Sequence, residues 1–126
     1  MIIGTGIDLV EVARIEKVFD RSGERFARHV LHEKEFAEFE ASRYKARFLA
    51  KRFAVKEAAT KALGTGQARN VLLRHFFVVH DENGKPIIDA DGHAKKLCDE
   101  YGINAMHVSI ADENEYAIAS VILERT

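Results

Sequence analysis

The chain opens on Ile2-Ile3-Gly4-Thr5-Gly6-Ile7-Asp8-Leu9-Val10, a short apolar run rich in β-branched residues that gives way at once to a charged helical pattern. The run predicts a strand. Its two faces are unlike: Ile3, Ile7 and Leu9 fall on one, and Gly4, Gly6 and Asp8 on the other. A carboxylate therefore stands beside two positions with no side chain. From Glu11 the apolar residues Val12, Ile15, Val18 and Phe19 recur at helical spacing until Ser22-Gly23, with Arg14, Lys17 and Arg21 near one another on the other side. Residues 24–42 read as two shorter helices that meet near Leu31 or His32. Their acidic run, Glu33, Glu35, Glu38 and Glu40, reads as a solvated face.

The longest helical pattern spans Arg43 to Leu63 and stops at Gly64-Thr65-Gly66, where Gly64 reads as the C-cap. At ~100° per residue, Ala46, Ala50, Phe53 and Ala54 lie within about 60° of Glu57, while Phe48, Val55, Ala59 and Ala62 fall opposite. A helix apolar on two faces is packed on two faces. Farther on, His75 to His80 reads as a strand, Asn83-Gly84 before Lys85-Pro86-Ile87-Ile88 as a hairpin turn, and Asp91 to Tyr101 as an amphipathic helix stopped by Gly102. Strands are predicted for Met106 to Ala111 and Tyr116 to Leu123. The last is apolar on both faces, which calls for helices above and sheet below, or for burial against another subunit. These elements describe an α+β fold, a small and mostly antiparallel sheet packed against a long buried helix.

Composition adds bounds. A chain of 126 residues that is 47% hydrophobic and 31% charged, with one Pro, reads as one globular domain, residues 1–126, with one core and no linker or repeat. Cys98 is the only cysteine, so neither a disulfide framework nor a thiolate zinc cluster is available, as in a reducing cytosol. No run approaches the ~18 apolar residues of a membrane span, and the N-terminus lacks a basic leader. The expectation is a soluble cytoplasmic protein. The net charge of −1 is uninformative until divided: residues 1–42 carry −3, residues 43–80 carry +8 and residues 81–126 carry −6. Between Arg43 and Lys61, seven basic residues accompany one acid, Glu57. A cationic block of this kind answers an anion.

Two carboxylates stand where they need a cation: Asp8 ends an apolar strand, and Glu57 lies on the inner stripe of an alanine-rich helix. Salt bridges to Lys56, Lys61 or Arg52 are one reading. The other is a hard-cation site, since two carboxylates with open coordination positions suit Mg²⁺, which keeps waters and shares substrate phosphates. The segment Lys56-Glu57-Ala58-Ala59-Thr60-Lys61-Ala62-Leu63-Gly64-Thr65-Gly66 adds two lysines and a glycine loop, both suited to phosphate. It has neither P-loop spacing nor the strand-to-helix context of a dinucleotide fingerprint. His107 and Ser109 share one face of their strand, without a carboxylate at triad spacing.

Three blocks taken together, Ile3-Gly4-Thr5-Gly6-Ile7-Asp8-Leu9-Val10-Glu11, Arg52-Phe53-Ala54-Val55-Lys56-Glu57 continuing to Gly66, and His107-Val108-Ser109-Ile110, resemble the holo-acyl-carrier-protein synthases of the 4′-phosphopantetheinyl transferase superfamily in order and separation. The resemblance covers essentially the whole chain. It implies transfer of the 4′-phosphopantetheine arm of coenzyme A to a serine of apo acyl carrier protein, with release of adenosine 3′,5′-bisphosphate. It implies Asp8 and Glu57 as ligands of Mg²⁺, with water where larger relatives have another acid and this chain has Val10. Lys61 would contact the phosphates, with Lys56, Arg52 and Phe53 nearby, and Gly64, Thr65 and Gly66 would line the coenzyme channel. His107 and Ser109 would bind coenzyme A, and the assembly would be a homotrimer with sites between subunits. The chain departs from the family pattern at Ala111-Asp112, where many members have a second histidine, and at Gln67-Ala68-Arg69-Asn70, where they have another glycine.

A catalytic base is not singled out: Glu57, a metal-bound water and a carboxylate of the carrier all qualify. Arg14, Lys17, Arg21 and Arg25 form a cationic surface beside Asp8 that suits an acidic carrier protein. A nucleic-acid-binding module is disfavoured, because the basic block is interleaved with a buried Phe/Ala pattern and shows no exposed stacking aromatics. A non-catalytic coenzyme A-binding module would keep the phosphate loop without needing Asp8.

Overall fold

The computed structural model describes all 126 residues. Five strands, β1 (Ile2–Glu11), β2 (Phe76–His80), β3 (Pro86–Ala90), β4 (Ala105–Asp112) and β5 (Tyr116–Glu124), are joined by five helices. These are α1 (Val12–Ser22), α2 (Glu24–Val30), α3 (Phe36–Ala41), α4 (Lys45–Leu63) and α5 (Gly92–Glu100), with 3-10 turns at Glu33–Glu35 and Leu73–His75. An antiparallel sheet of order β1-β5-β4 and a separate β2-β3 hairpin make up the strands. The α+β architecture with its long buried helix is as the pattern predicts.

The glycines of β1 explain how strand and helix meet. A Cβ on Gly4 would lie 1.9 Å from the Ala62 carbonyl oxygen, and one on Gly6 would lie 1.9 Å from that of Ala58. The helix backbone thus rests directly on the strand, where only glycine fits. Asp8 is next on the same face, so the contact that packs β1 on α4 also carries this carboxylate to the helix. Opposite the glycines, Ile7 and Leu9 are 59% and 62% exposed.

Helix α4 divides the apolar interior. Ala54, Val55, Ala58, Ala59, Ala62 and Leu63 join a cluster with α5 and the inner faces of β4 and β5, whereas Phe48, Leu49 and Ala50 join Ile15, Val30 and Phe39 in a second. The single core expected from chain length is therefore two clusters sharing one helix, which needs apolar residues on both of its faces. In β5, Ala117, Ala119, Val121 and Leu123 are buried while Ile118 and Ile122 are only half-buried. The helix ends as the sequence predicts: Gly64 is left-handed at φ 81°, and its N–H donates to the carbonyls of Lys61 and Thr60.

Candidate functional site

Where β1 crosses the last turns of α4, the Lys61 ammonium donates to the Ile7 carbonyl and to Asp8 Oδ1, each at 3.0 Å. Glu57 lies one helical turn before Lys61 and accepts a hydrogen bond from Gln67 Nε2 on its Oε1 at 2.9 Å. Burial first, and then the charge of Asp8, hold the Glu57 carboxyl above its ordinary range, against the Gln67 hydrogen bond and the charges of Lys61 and Arg14. Two carboxylates are thus close enough to repel, and one half-exposed lysine bridges only one of them. Asp8, Glu57 and Lys61 come together at the crossing of β1 and α4. No third His, Cys, Asp or Glu joins them as a possible ligand.

Other predicted residues lie elsewhere. Lys56 is fully buried, donating to the Val30 carbonyl at 2.7 Å and to the carboxylate of Glu35. Arg52, also buried, pairs with Glu35 Oε2 at 3.3 Å without hydrogen-bond alignment and with Glu38 at 2.6 Å. The resemblance implies both beside the coenzyme phosphates; in the folded chain both are buried against Glu35. Glu35 in turn corrects the reading of its acidic run as a solvated face, since it is only 2% exposed. Phe53 packs with Phe26 in the second apolar cluster, not at the glycine loop.

In the glycine loop, the N–H groups of Thr65 and Gly66 both donate to the Thr60 carbonyl at 3.2 Å. They close the helix end and are not left to cradle an anion. His107 and Ser109 pair across from Ile122 and Ser120 on the outer face of the sheet, away from α4 and from Asp8 of the same chain, and His107 bonds Glu124 at 2.9 Å. Arg14, Lys17, Arg21 and Arg25 are all exposed, with Arg14 near enough to favour the Glu57 anion. Gln67 and Glu35 were missed as functional or structural partners. Neither has a periodic relation to its partner, since each reaches α4 through a turn.

A family model described as the 4′-phosphopantetheinyl transferase superfamily matches residues 4–121. The chain belongs to this superfamily. Among its members, a "Holo-[acyl-carrier-protein] synthase" of Vibrio cholerae is 51% identical over 125 residues, covering 99% of each chain. The phosphopantetheinyl transferase fold seen here is that of the holo-[acyl-carrier-protein] synthase of Neisseria meningitidis, with a TM-score of 0.93, 37% identity, and coverage of 99% of this chain and 100% of that one. The Bacillus anthracis holo-(acyl-carrier-protein) synthase, solved in complex with CoA (3',5'-ADP), aligns with a TM-score of 0.83 at 35% identity over 100% of this chain and 99% of that one.

Proposed function

We propose that this phosphopantetheinyl transferase is a holo-acyl-carrier-protein synthase. It moves 4′-phosphopantetheine from coenzyme A to a serine of apo acyl carrier protein, releases adenosine 3′,5′-bisphosphate, and serves fatty acid synthesis in the cytoplasm. The observation that carries the residue assignments is the convergence of Asp8, Glu57 and Lys61 where β1 crosses α4 on its glycines.

Asp8 and Glu57 would hold Mg²⁺, a fit supported by the mutual repulsion of two carboxylates of which only Asp8 is paired with a lysine. Held by these two carboxylates, the ion would supply positive charge to the diphosphate of coenzyme A. Lys61, half exposed on a flexible stem, binds a phosphate oxygen and stabilises charge on the departing bisphosphate. The carrier serine attacks the β-phosphorus of the pantetheine arm in line, and its proton passes to a base in the assembled site. Gly64 and Gly66 have open space where a side chain would stand, so the loop gives the coenzyme room. Arg14, Lys17, Arg21 and Arg25 dock the acidic carrier. Arg52 and Lys56 have no part in coenzyme binding, since Glu35 and Glu38 hold them.

His107 and Ser109 serve the coenzyme bound to a neighbouring copy in a homotrimer. The outer sheet face that bears them also bears exposed Ile7 and Leu9 and half-buried Ile118 and Ile122, the apolar area a subunit contact would cover. The test is to incubate the protein with coenzyme A, Mg²⁺ and an apo acyl carrier protein and to weigh the carrier. A gain of one phosphopantetheine is expected. An unchanged carrier beside bound coenzyme A would mean a non-catalytic coenzyme A-binding module. For the assembly, Leu9→Glu should shift sedimentation from trimer to monomer.

A further inference from the structure

Gln67 follows directly on the glycine loop, and its side chain touches Glu57. Each carboxylate of the site has one oxygen engaged by a nitrogen donor: Glu57 Oε1 by the Gln67 amide at 2.9 Å, and Asp8 Oδ1 by the Lys61 ammonium at 3.0 Å. One oxygen of each is uncommitted. We infer that Gln67 is a positioning residue that selects the cation, by leaving Glu57 a single oxygen to give and so favouring a small octahedral ion over a larger one that takes carboxylates by both oxygens. This rests on the assignment of Asp8 and Glu57 as the cation ligands.

An exposed glutamine would wander unless its loop were fixed, and the loop is fixed. Arg69 and Asn70 are consecutive non-glycine residues in left-handed conformation, at φ 57° and 65°. Such a pair persists only where its surroundings impose it. On one side Val71 is fully buried, and its N–H donates to the Ala68 carbonyl at 3.1 Å. On the other the Arg69 guanidinium bonds the Tyr101 hydroxyl and lies 5.9 Å from its ring centroid. Residues 64–70 thus form a strap that starts at the end of α4, is tied to Tyr101 just past α5, and presents Gln67 to Glu57.

The experiment measures binding, not turnover. Mn²⁺ bound to the protein is read from loss of its free-ion EPR signal, and Mg²⁺ and Ca²⁺ are titrated as competitors against wild type, Gln67→Ala, Tyr101→Phe and Glu57→Gln. Gln67→Ala should weaken Mn²⁺ and Mg²⁺ by roughly tenfold, as loss of an outer-shell partner does, and Ca²⁺ by much less. Preference for Mg²⁺ over Ca²⁺ should therefore narrow. Tyr101→Phe, remote from the carboxylates, should narrow it in the same direction by a smaller factor. An unchanged ratio of Mg²⁺ to Ca²⁺ affinity in Gln67→Ala overturns the positioning role. Glu57→Gln tests the underlying assignment separately, since full-strength Mn²⁺ binding in that variant would place the cation elsewhere and remove both readings.

Discussion

Lys56 and Glu57 are neighbours in sequence and meet opposite fates on α4. On one side of the helix, Glu35 is surrounded: Lys56 and Arg52 are its cations, the His32 N–H donates to Oε1 at 3.0 Å, and the Val78 N–H donates to Oε2 at 3.0 Å. On the other side, half-exposed Lys61 pairs with Asp8 and leaves Glu57 without a salt bridge. Both clusters combine acids with bases drawn from distant segments. The first is saturated and closed to solvent, so it pins α4 to the Glu33–Glu35 turn and to β2. The second pairs only one of its two carboxylates, through a lysine that is half exposed. Burial holds the Lys56 ammonium down to about 8 even with Glu35 beside it, whereas burial and Asp8 hold the Glu57 carboxyl up. Charged groups on one helix are structural or functional according to whether their partners are already in place.

That contrast can be broken most forcefully from the closed side. Glu35→Ala strands Lys56 and Arg52 and should cost about 3–5 kcal/mol in urea unfolding; a cost below about 1 kcal/mol would mean that water already reaches the cluster. On the open side, Glu57→Gln and Asp8→Asn should each reduce turnover by on the order of a hundredfold or more, while the fold survives. Near wild-type turnover with the same Mg²⁺ dependence would sink the ligand assignment.

Smaller effects sharpen the same comparison. Arg14→Glu, at the open rim, should raise KM for carrier protein severalfold and leave that for coenzyme A nearly unchanged. Equal effects on both substrates would assign Arg14 a structural role. The mildest test is pH. A carboxyl whose folded pKa lies above its unfolded value of 4.5 opposes folding once ionised, so Glu57 contributes instability that appears as pH rises through that window. Without metal, Glu57→Gln should therefore melt slightly higher than wild type at pH 7, with the advantage vanishing as pH falls toward 4.5. Glu35→Gln, which removes the carboxylate facing two buried cations, should melt lower than wild type at pH 7.

Much of the fold was legible because it is local. The β-branched run of β1, the helical period of α1 and α5, the stop at Gly64 and the turn at Asn83-Gly84 depend on residues within a few positions of one another. The pairing of Asp8 with Glu57 was legible for another reason: a carboxylate on an apolar face needs a cation wherever it ends up. What escaped was the direction in which α4 turned its basic residues. Lys51, Arg52 and Lys56 all lie on helix flanks by angle, and nothing in their spacing says that Glu35 will take two of them.

The chain by itself determined the elements, the two-sided burial of α4 and the three blocks that mark a phosphopantetheinyl transferase. Each is a property of residue type and short-range period, which survive without knowledge of neighbours. Tertiary structure alone decided which charges are spent and which remain. It sent Lys56 inward to Glu35, placed His107 on the far face of the sheet and delivered Gln67 to Glu57. Those outcomes depend on contacts between different elements, which the period of a single element does not encode.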